Sequence, residues 1–313
     1  MKILSRAFNV ALILTSTLVF SAEHPIPVIT STTDLAWAVK QIGGGHVEVN
    51  GLLKGTENPH YVDAIPEFIR LASEAKAAFV IGLDLEVGWM PKVLSRSGNA
   101  QIQPGGKGYC ETGKAVQVLE KPQGGVDRSM GDVHPAGNPH FWLSPKHLGQ
   151  AAQAISETLS TIDPVHAKDY QENLKTFLQK MEHIQFKNAN KLKAALGTPT
   201  EPVLLEYHKE FSYFLETYGL KSLGSIEEKP GVAPSAGRLA EIALQGKGAN
   251  LKFVLAADTA PKKTLERFSE ISGIPVVVIP MSVQPFGKLS SYELLQEHII
   301  EKIAQVFKTP ATP

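Results

Sequence analysis

Short apolar runs rich in β-branched residues alternate with amphipathic stretches along nearly the whole chain. Val28-Ile29-Thr30-Ser31-Thr32 reads as a first strand bounded by Pro27. Asp34 is placed to cap a helix in which Leu35, Val39 and Ile42 recur at helical spacing, and Gly43-Gly44-Gly45 ends it. Val47 to Leu53 is a second strand and Pro66 to Ala77 a helix. Ala78 to Leu83 is a continuous apolar run, as a parallel strand covered on both faces requires. Glu86 to Leu94 reads as helical. Residues 98–135 are rich in Gly, Pro and Lys and read as irregular loops with one or two short strands, Ala115 to Leu119 among the alternating pieces. Lys146 to Leu159 is then a helix. A second α/β unit follows from Pro202: strands at 202–207, 221–226, 253–256 and 275–279, and helices at 210–218, 236–245, 262–271 and 292–307. Strands alternating with helices imply βαβ units and parallel sheets.

Between the two halves lies one long helical pattern. Asp163-Pro164 supplies an N-cap and a first helical position, and Gly197 a stop. Tyr170, Leu174, Phe177, Leu178, Met181 and Ile184 form one apolar face, and no Gly or Pro interrupts 165–196. At 1.5 Å per residue this is a rod of roughly 50 Å, too long for one small lobe, so it should bridge two. The fold expected is α/β: two lobes, each a mostly parallel sheet flanked by helices, joined by one rigid backbone helix. The divisions are 1–22, 23–162, 163–197 for the bridging helix, and 198–313.

Residues 1–22 read as a secretory signal peptide. Lys2 and Arg6 precede a mostly apolar stretch from Ala7 to Phe20, and Ser21-Ala22 offers a cleavage site. A periplasmic location follows. With no Cys at the cleavage point, no lipid anchor to the membrane is expected. The precursor carries 31 basic and 31 acidic residues; without Lys2 and Arg6 the balance is 29 to 31, a net of −2. That gives no electrostatic case for nucleic acid or an anionic membrane. Cys110 is the only cysteine, so stability rests on packed cores, and it reads as a plain thiol.

The chemistry lies in two Asn-Pro-His loops. Asn58-Pro59-His60 is echoed by Asn138-Pro139-His140, which continues Phe141-Trp142-Leu143-Ser144-Pro145. Proline fixes its own φ and biases the residue before it to an extended shape, so each loop presents an imidazole on a stiff backbone. A third imidazole, His208, ends the strand-like run Leu204-Leu205-Glu206-Tyr207. The three lie 80 and 68 residues apart and belong to different units, as ligands of a metal held between lobes would. His166 and His183, on the long helix, read as solvated or packed. Glu206 is a candidate for orienting a ligand histidine, and His134 for an auxiliary capture ligand.

These residues resemble a family: the periplasmic solute-binding proteins of zinc and manganese ABC transporters, cluster A-I. The early strand ending in Thr-Thr-Asp, Asn58-Pro59-His60, Gly131-Asp132-Val133-His134-Pro135 with Gly137-Asn138-Pro139-His140-Phe141-Trp142-Leu143, and the run from Tyr207-His208 to Tyr218-Gly219-Leu220 carry the resemblance. It implies a monomer that holds a metal in the interlobe cleft and passes it to a membrane permease. His60, His140 and His208 fall on the family's ligand positions. The family's carboxylate ligand aligns near Ala257, which makes Asp258 the expected fourth ligand, with a water as the alternative. Imidazoles favour Zn²⁺ over Mn²⁺. Three histidines with a water could also serve a zinc hydrolase, but no His-Glu-x-x-His or other compact zinc-enzyme motif is present. A pure adhesin is the remaining class.

Overall fold

A computed structural model describes residues 24–197, 203–249 and 251–307. Two four-stranded parallel sheets stand in it. The first joins β1 (Ile26–Thr30), β2 (Val47–Gly51), β3 (Ala77–Val80) and β4 (Tyr109–Glu111) in the order β2-β1-β3-β4. The second repeats that order as β6-β5-β7-β8, from β5 (Leu204–Glu206), β6 (Ser222–Ser225), β7 (Phe253–Ala257) and β8 (Val276–Ile279). Every residue of β3 and of β7 is buried, which is why these segments read as unbroken apolar runs. In open parallel sheets ligands gather beyond the carboxyl ends of the strands, where the crossovers change direction. His60 follows β2, His140 follows β4 and His208 follows β5.

The first helix, α1 (Thr33–Gly43), is capped by Thr32, whose hydroxyl accepts from Leu35 N–H, and not by Asp34. Asp34 has another task. It is wholly buried, and its carboxylate accepts the Val283 N–H at 3.1 Å, a bond between the two halves of the chain. In the N-terminal half, α2 (Pro66–Glu74) and α3 (Met90–Ser97) cover one sheet face. The helix expected from Glu86 starts only at Met90, because the Glu86 carboxylate turns back onto the Ile81 and Gly82 amides and the Ser31 hydroxyl. Those bonds hold 83–89 in turns. A short strand in 98–135 is Tyr109–Glu111, whereas the alternating piece Ala115 to Leu119 is not a strand: Thr112–Ala115 forms a 3-10 turn and 117–119 no regular element. Cys110 lies on β4, and burial pushes its thiol up to about 11, which keeps it protonated and unreactive.

The chain then forms α4 (Pro145–Ile162) and, after a 3-10 turn at Pro164–His166, the uninterrupted α5 (Ala167–Leu196). Thirty helical residues span about 45 Å. Tyr170, Phe177, Met181, Ile184, Asn188 and Leu192 form its buried stripe, packed against α4, α1 and the last helix, α9 (Tyr292–Val306). Lys187–Glu297 and Lys191–Glu301 ion pairs run along the α5–α9 seam. His183 is exposed on α5, and His166 bonds Asp163. The C-terminal half is completed by α6 (Ser212–Tyr218), α7 (Ala236–Gly248) and α8 (Lys262–Ser272).

One hydrophobic cluster runs through both halves, from Val28 and Phe79 through Trp142 and Tyr213 to Phe253 and Ile303. Packed interiors resist continuous deformation, and kinks in a helix need Pro, Gly or a bulge. Binding should therefore leave the lobes nearly where they are. Small-angle scattering is expected to give near-coincident profiles with and without metal, each with a radius of gyration of roughly 20 Å. A change of several ångströms on loading would contradict the shared core.

Candidate metal centre

Each histidine reaches the cleft by a different local device. The Asn58 side-chain oxygen accepts the His60 N–H at 3.0 Å, and the Pro59 carbonyl accepts the Trp89 indole N–H at 2.9 Å. The Asn138 oxygen accepts both the His140 backbone N–H and its Nδ1–H, each at 2.9 Å. The same amide nitrogen donates to the Lys209 carbonyl at 3.0 Å and to Glu120, so one asparagine ties His140 to the opposite lobe. Proline between the two residues shapes the loop that makes the repeated bond possible.

His208 follows β5 and leans on a carboxylate. Its Nδ1 lies 2.8 Å from Glu227 Oε2, which also accepts the Gly231 N–H at 2.8 Å. Glu227 is 8 % exposed. Carboxylate support of the outer ring nitrogen fixes the tautomer and raises the basicity of the inner one. Gly231 has φ +75°, and a Cβ there would strike Asp132 Oδ2 and the Tyr61 hydroxyl. Glycine is what lets this turn approach the Tyr61–Asp132 hydrogen bond.

The orienting carboxylate is Glu227, not Glu206. Glu206 accepts the Phe211 N–H at 3.0 Å inside the lobe, and burial lifts its carboxyl to about 7.

The ligating nitrogens of His60, His140 and His208 all lie within 4.8 Å of one another, and among the described residues they form the one group with metal-binding spacing. His60 Nε2 and His140 Nε2 are 2.9 Å apart. A tetrahedral ion with bonds near 2.0–2.1 Å needs such atoms about 3.3 Å apart, so the pair must open by only about 0.4 Å. Two small cavities flank the histidines, of about 200 and about 170 Å³; they share His208 and Asp132. They suit an ion, and fall below the size of pockets for organic ligands.

Asp258 is not brought to this group. Ala257 and Thr259 line the cavity and Asp258 does not; burial raises its carboxyl, against the backbone of Met281 and Thr259 beside it, which favours the charged form. Its exposed position follows from strand parity: Ala257 is the last residue of β7 and faces the cleft, so its neighbour faces away. A carboxylate that does border the site is Glu210. Burial raises it to about 7, and His208 nearby pulls it down.

Electrostatics set the protonation order. Burial, then the neighbouring histidines, lowers His60 to about 3, and burial takes His140 well below its ordinary value. Burial also opposes charge on His208, but Glu227 and Glu210 outweigh it and the net shift is upward. A metal must find neutral imidazoles. His60 and His140 stay neutral throughout mild acid; His208 alone exchanges its proton for the ion. As pH falls through the raised His208 value, affinity should fall about tenfold per pH unit, the slope of one proton. Calorimetry at pH 6 in buffers of different ionisation enthalpy should report about one proton released per ion bound. Release of two or three would refute this order. Glu227→Gln should move the onset of the fall to lower pH.

A two-lobed α/β body, a rigid connecting helix and three histidines meeting at the strand ends define a cleft-type solute-binding protein. Residues 28–306 match the family described as zinc-uptake complex component A, periplasmic (ZnuA), and the chain belongs to that family. This is a family of substrate-binding transport proteins, not of enzymes, which removes the hydrolase alternative. Among curated relatives, the manganese ABC transporter substrate-binding lipoprotein PsaA of Streptococcus mitis is 25 % identical over 295 residues, covering 91 % of this chain and 90 % of that protein. The zinc-binding lipoprotein AdcA of Streptococcus pneumoniae is 22 % identical over 82 % of this chain and 50 % of its own length. A crystal structure of ZnuA superposes with a TM-score of 0.72 at 24 % identity, over 90 % of this chain and 98 % of that one. The Pseudomonas aeruginosa protein FpvC in complex with Mn²⁺ gives 0.74 at 19 % identity, over 91 % and 98 %. Proteins of this class deliver metal to a membrane permease.

Proposed function

We propose that this protein captures Zn²⁺ in its interlobe cleft, outside the cytoplasm, and hands it to the permease of an ABC transporter. The observation that supports zinc is the donor set: three imidazoles converge with no carboxylate among them. Imidazole suits zinc, whereas manganese favours oxygen donors. Mn²⁺ is the second reading, supported by the manganese named for PsaA and for FpvC. Competition titrations with the two ions decide it. Zinc should bind at least a hundredfold more tightly; equal or tighter manganese binding would overturn the assignment.

The protein acts as a monomer in this reading, with lobes at 23–162 and 198–313 on the bridging segment 163–197. The leader at 1–22 lies outside the described residues. The related proteins PsaA and AdcA are named lipoproteins, so N-terminal sequencing and mass measurement of exported protein are the test of a plain cut after Ala22. Among the described residues no helix is long and apolar enough to cross a membrane.

A further inference from the structure

A fourth histidine borders the three. His134 lies in the loop that leads to Asn138, and its ring centroid is 5.1 Å from that of His60 and 6.0 Å from that of His140. It lines the same cavity as His140 and His208. Its Nε2 is closed off from solvent and has no hydrogen-bond partner. Buried polar atoms are nearly always paired, so an orphaned ring nitrogen asks for an explanation.

Burial opposes charge on the His134 ring, while the Leu83 backbone beside it favours the charged form. For His140 and His208, Asn138 and Glu227 hold one ring nitrogen and leave the other for the cleft. Leu83 belongs to an unusual turn. Gly82, Leu83 and Asp84 have φ of +77°, +53° and +65°, and the left-handed region is rarely entered by a branched residue such as Leu. Gly82 could not be replaced there, since a Cβ would meet the Glu111 side chain. Uncommon backbone of this kind persists where the surroundings hold it, and here it borders a histidine of the site.

We propose that His134 Nε2 is the fourth donor to the bound ion, completing a four-imidazole tetrahedron in place of Asp258 or water. The proposal rests on the metal-capture reading and sharpens it. Four nitrogens make the site one for ions that favour imidazole, Zn²⁺ foremost with Co²⁺ and Ni²⁺ as laboratory probes, and against Mn²⁺. His134 stands just outside the group of three, so its coordination requires the loop at 131–135 to move inward. It is already tethered, across the cleft by Asp132 N–H to the Pro230 carbonyl at 2.8 Å and within its own lobe by the Tyr61 hydroxyl to Asp132. The double charge is balanced at one remove, by Glu227 behind His208 and by Glu210 and Asp132 along the cavity wall.

X-ray absorption on the zinc-loaded full chain counts the imidazoles, and Zn²⁺ and Mn²⁺ competition titrations give the affinities. His134→Ala, His134→Gln and Asp258→Ala are compared with the unmodified protein, with metal-free circular dichroism to verify folding. Four imidazoles are expected in the unmodified protein and three plus an oxygen in both His134 variants. Zinc affinity should fall tenfold or more while Mn²⁺ affinity changes little, so the preference for zinc narrows. An unmodified protein with three imidazoles and one oxygen would overturn the proposal. So would His134 variants within twofold of its zinc affinity, or a loss confined to Asp258→Ala. Failure of the underlying reading looks different: the unmodified protein would take up no zinc, or His140→Ala would bind it as well as before.

Discussion

His140→Ala should lower zinc affinity by at least a hundredfold, about 2.8 kcal/mol. His60→Ala and His208→Ala should follow closely. The ordering comes from how each ring is held. His140 is 3 % exposed, and Asn138 fixes both its backbone and its Nδ1, so nothing mobile stands ready to replace it. Pre-positioned ligands save the ordering cost that a substitute would incur. His60 approaches His140 directly, and its loss removes one side of the 2.9 Å pair. His208 brings Glu227 with it, and truncation leaves a buried carboxylate without its imidazole. Competition titration measures the three losses, with the exposed His183→Ala as a control for folding. Thermal melts give an independent check. Zinc at a thousand times its dissociation constant should stabilise the unmodified protein by about 4 kcal/mol and the variants by far less. Three variants with unaltered affinity would place the site elsewhere.

The three histidines were legible in the sequence because their signal is local. Asn-Pro-His writes its geometry into neighbouring residues: the proline stiffens the loop and the asparagine closes a bond two residues on. The two sheets and α5 were legible because apolar period and helix length are local too. Glu227 was not. It sits nineteen residues after His208, in a connector that reads as turns, and only the folded lobe brings it to Nδ1. Nor was the direction of Asp258, which depends on whether β7 ends before or after Ala257, a question of one residue. Glu86 misled in the same way. Its carboxylate caps two amides that precede it, and so it delays the helix that the apolar spacing announces. Asp34 read as a cap from its place in the chain, yet its partner lies 249 residues away.

Trp142 carries the largest stability effect expected outside the metal ligands. It is 1 % exposed, and its indole N–H donates to the Met281 carbonyl of the other lobe at 2.8 Å. Its own carbonyl accepts from the Tyr292 hydroxyl at 2.7 Å, and the Leu143 carbonyl beside it accepts from Gln296 at 2.8 Å. The same ring lies 5.4 Å from that of His140. Trp142→Ala empties the largest kind of side chain from the shared core and orphans a buried carbonyl, and should cost about 3–5 kcal/mol. Trp142→Phe keeps most of the volume and removes the hydrogen bond, and should cost about 1–3 kcal/mol. Because the cluster containing Trp142 is continuous through both halves, unfolding of the unmodified protein should be one cooperative transition. The Ala variant should lower that midpoint and weaken zinc binding as well, since the ring supports one wall of His140. Denaturant titration followed by fluorescence and circular dichroism measures both points. A loss below 1 kcal/mol, or two separate transitions in the unmodified protein, would mean that the lobes are stable independently and that Trp142 is not the link between the cores and the metal.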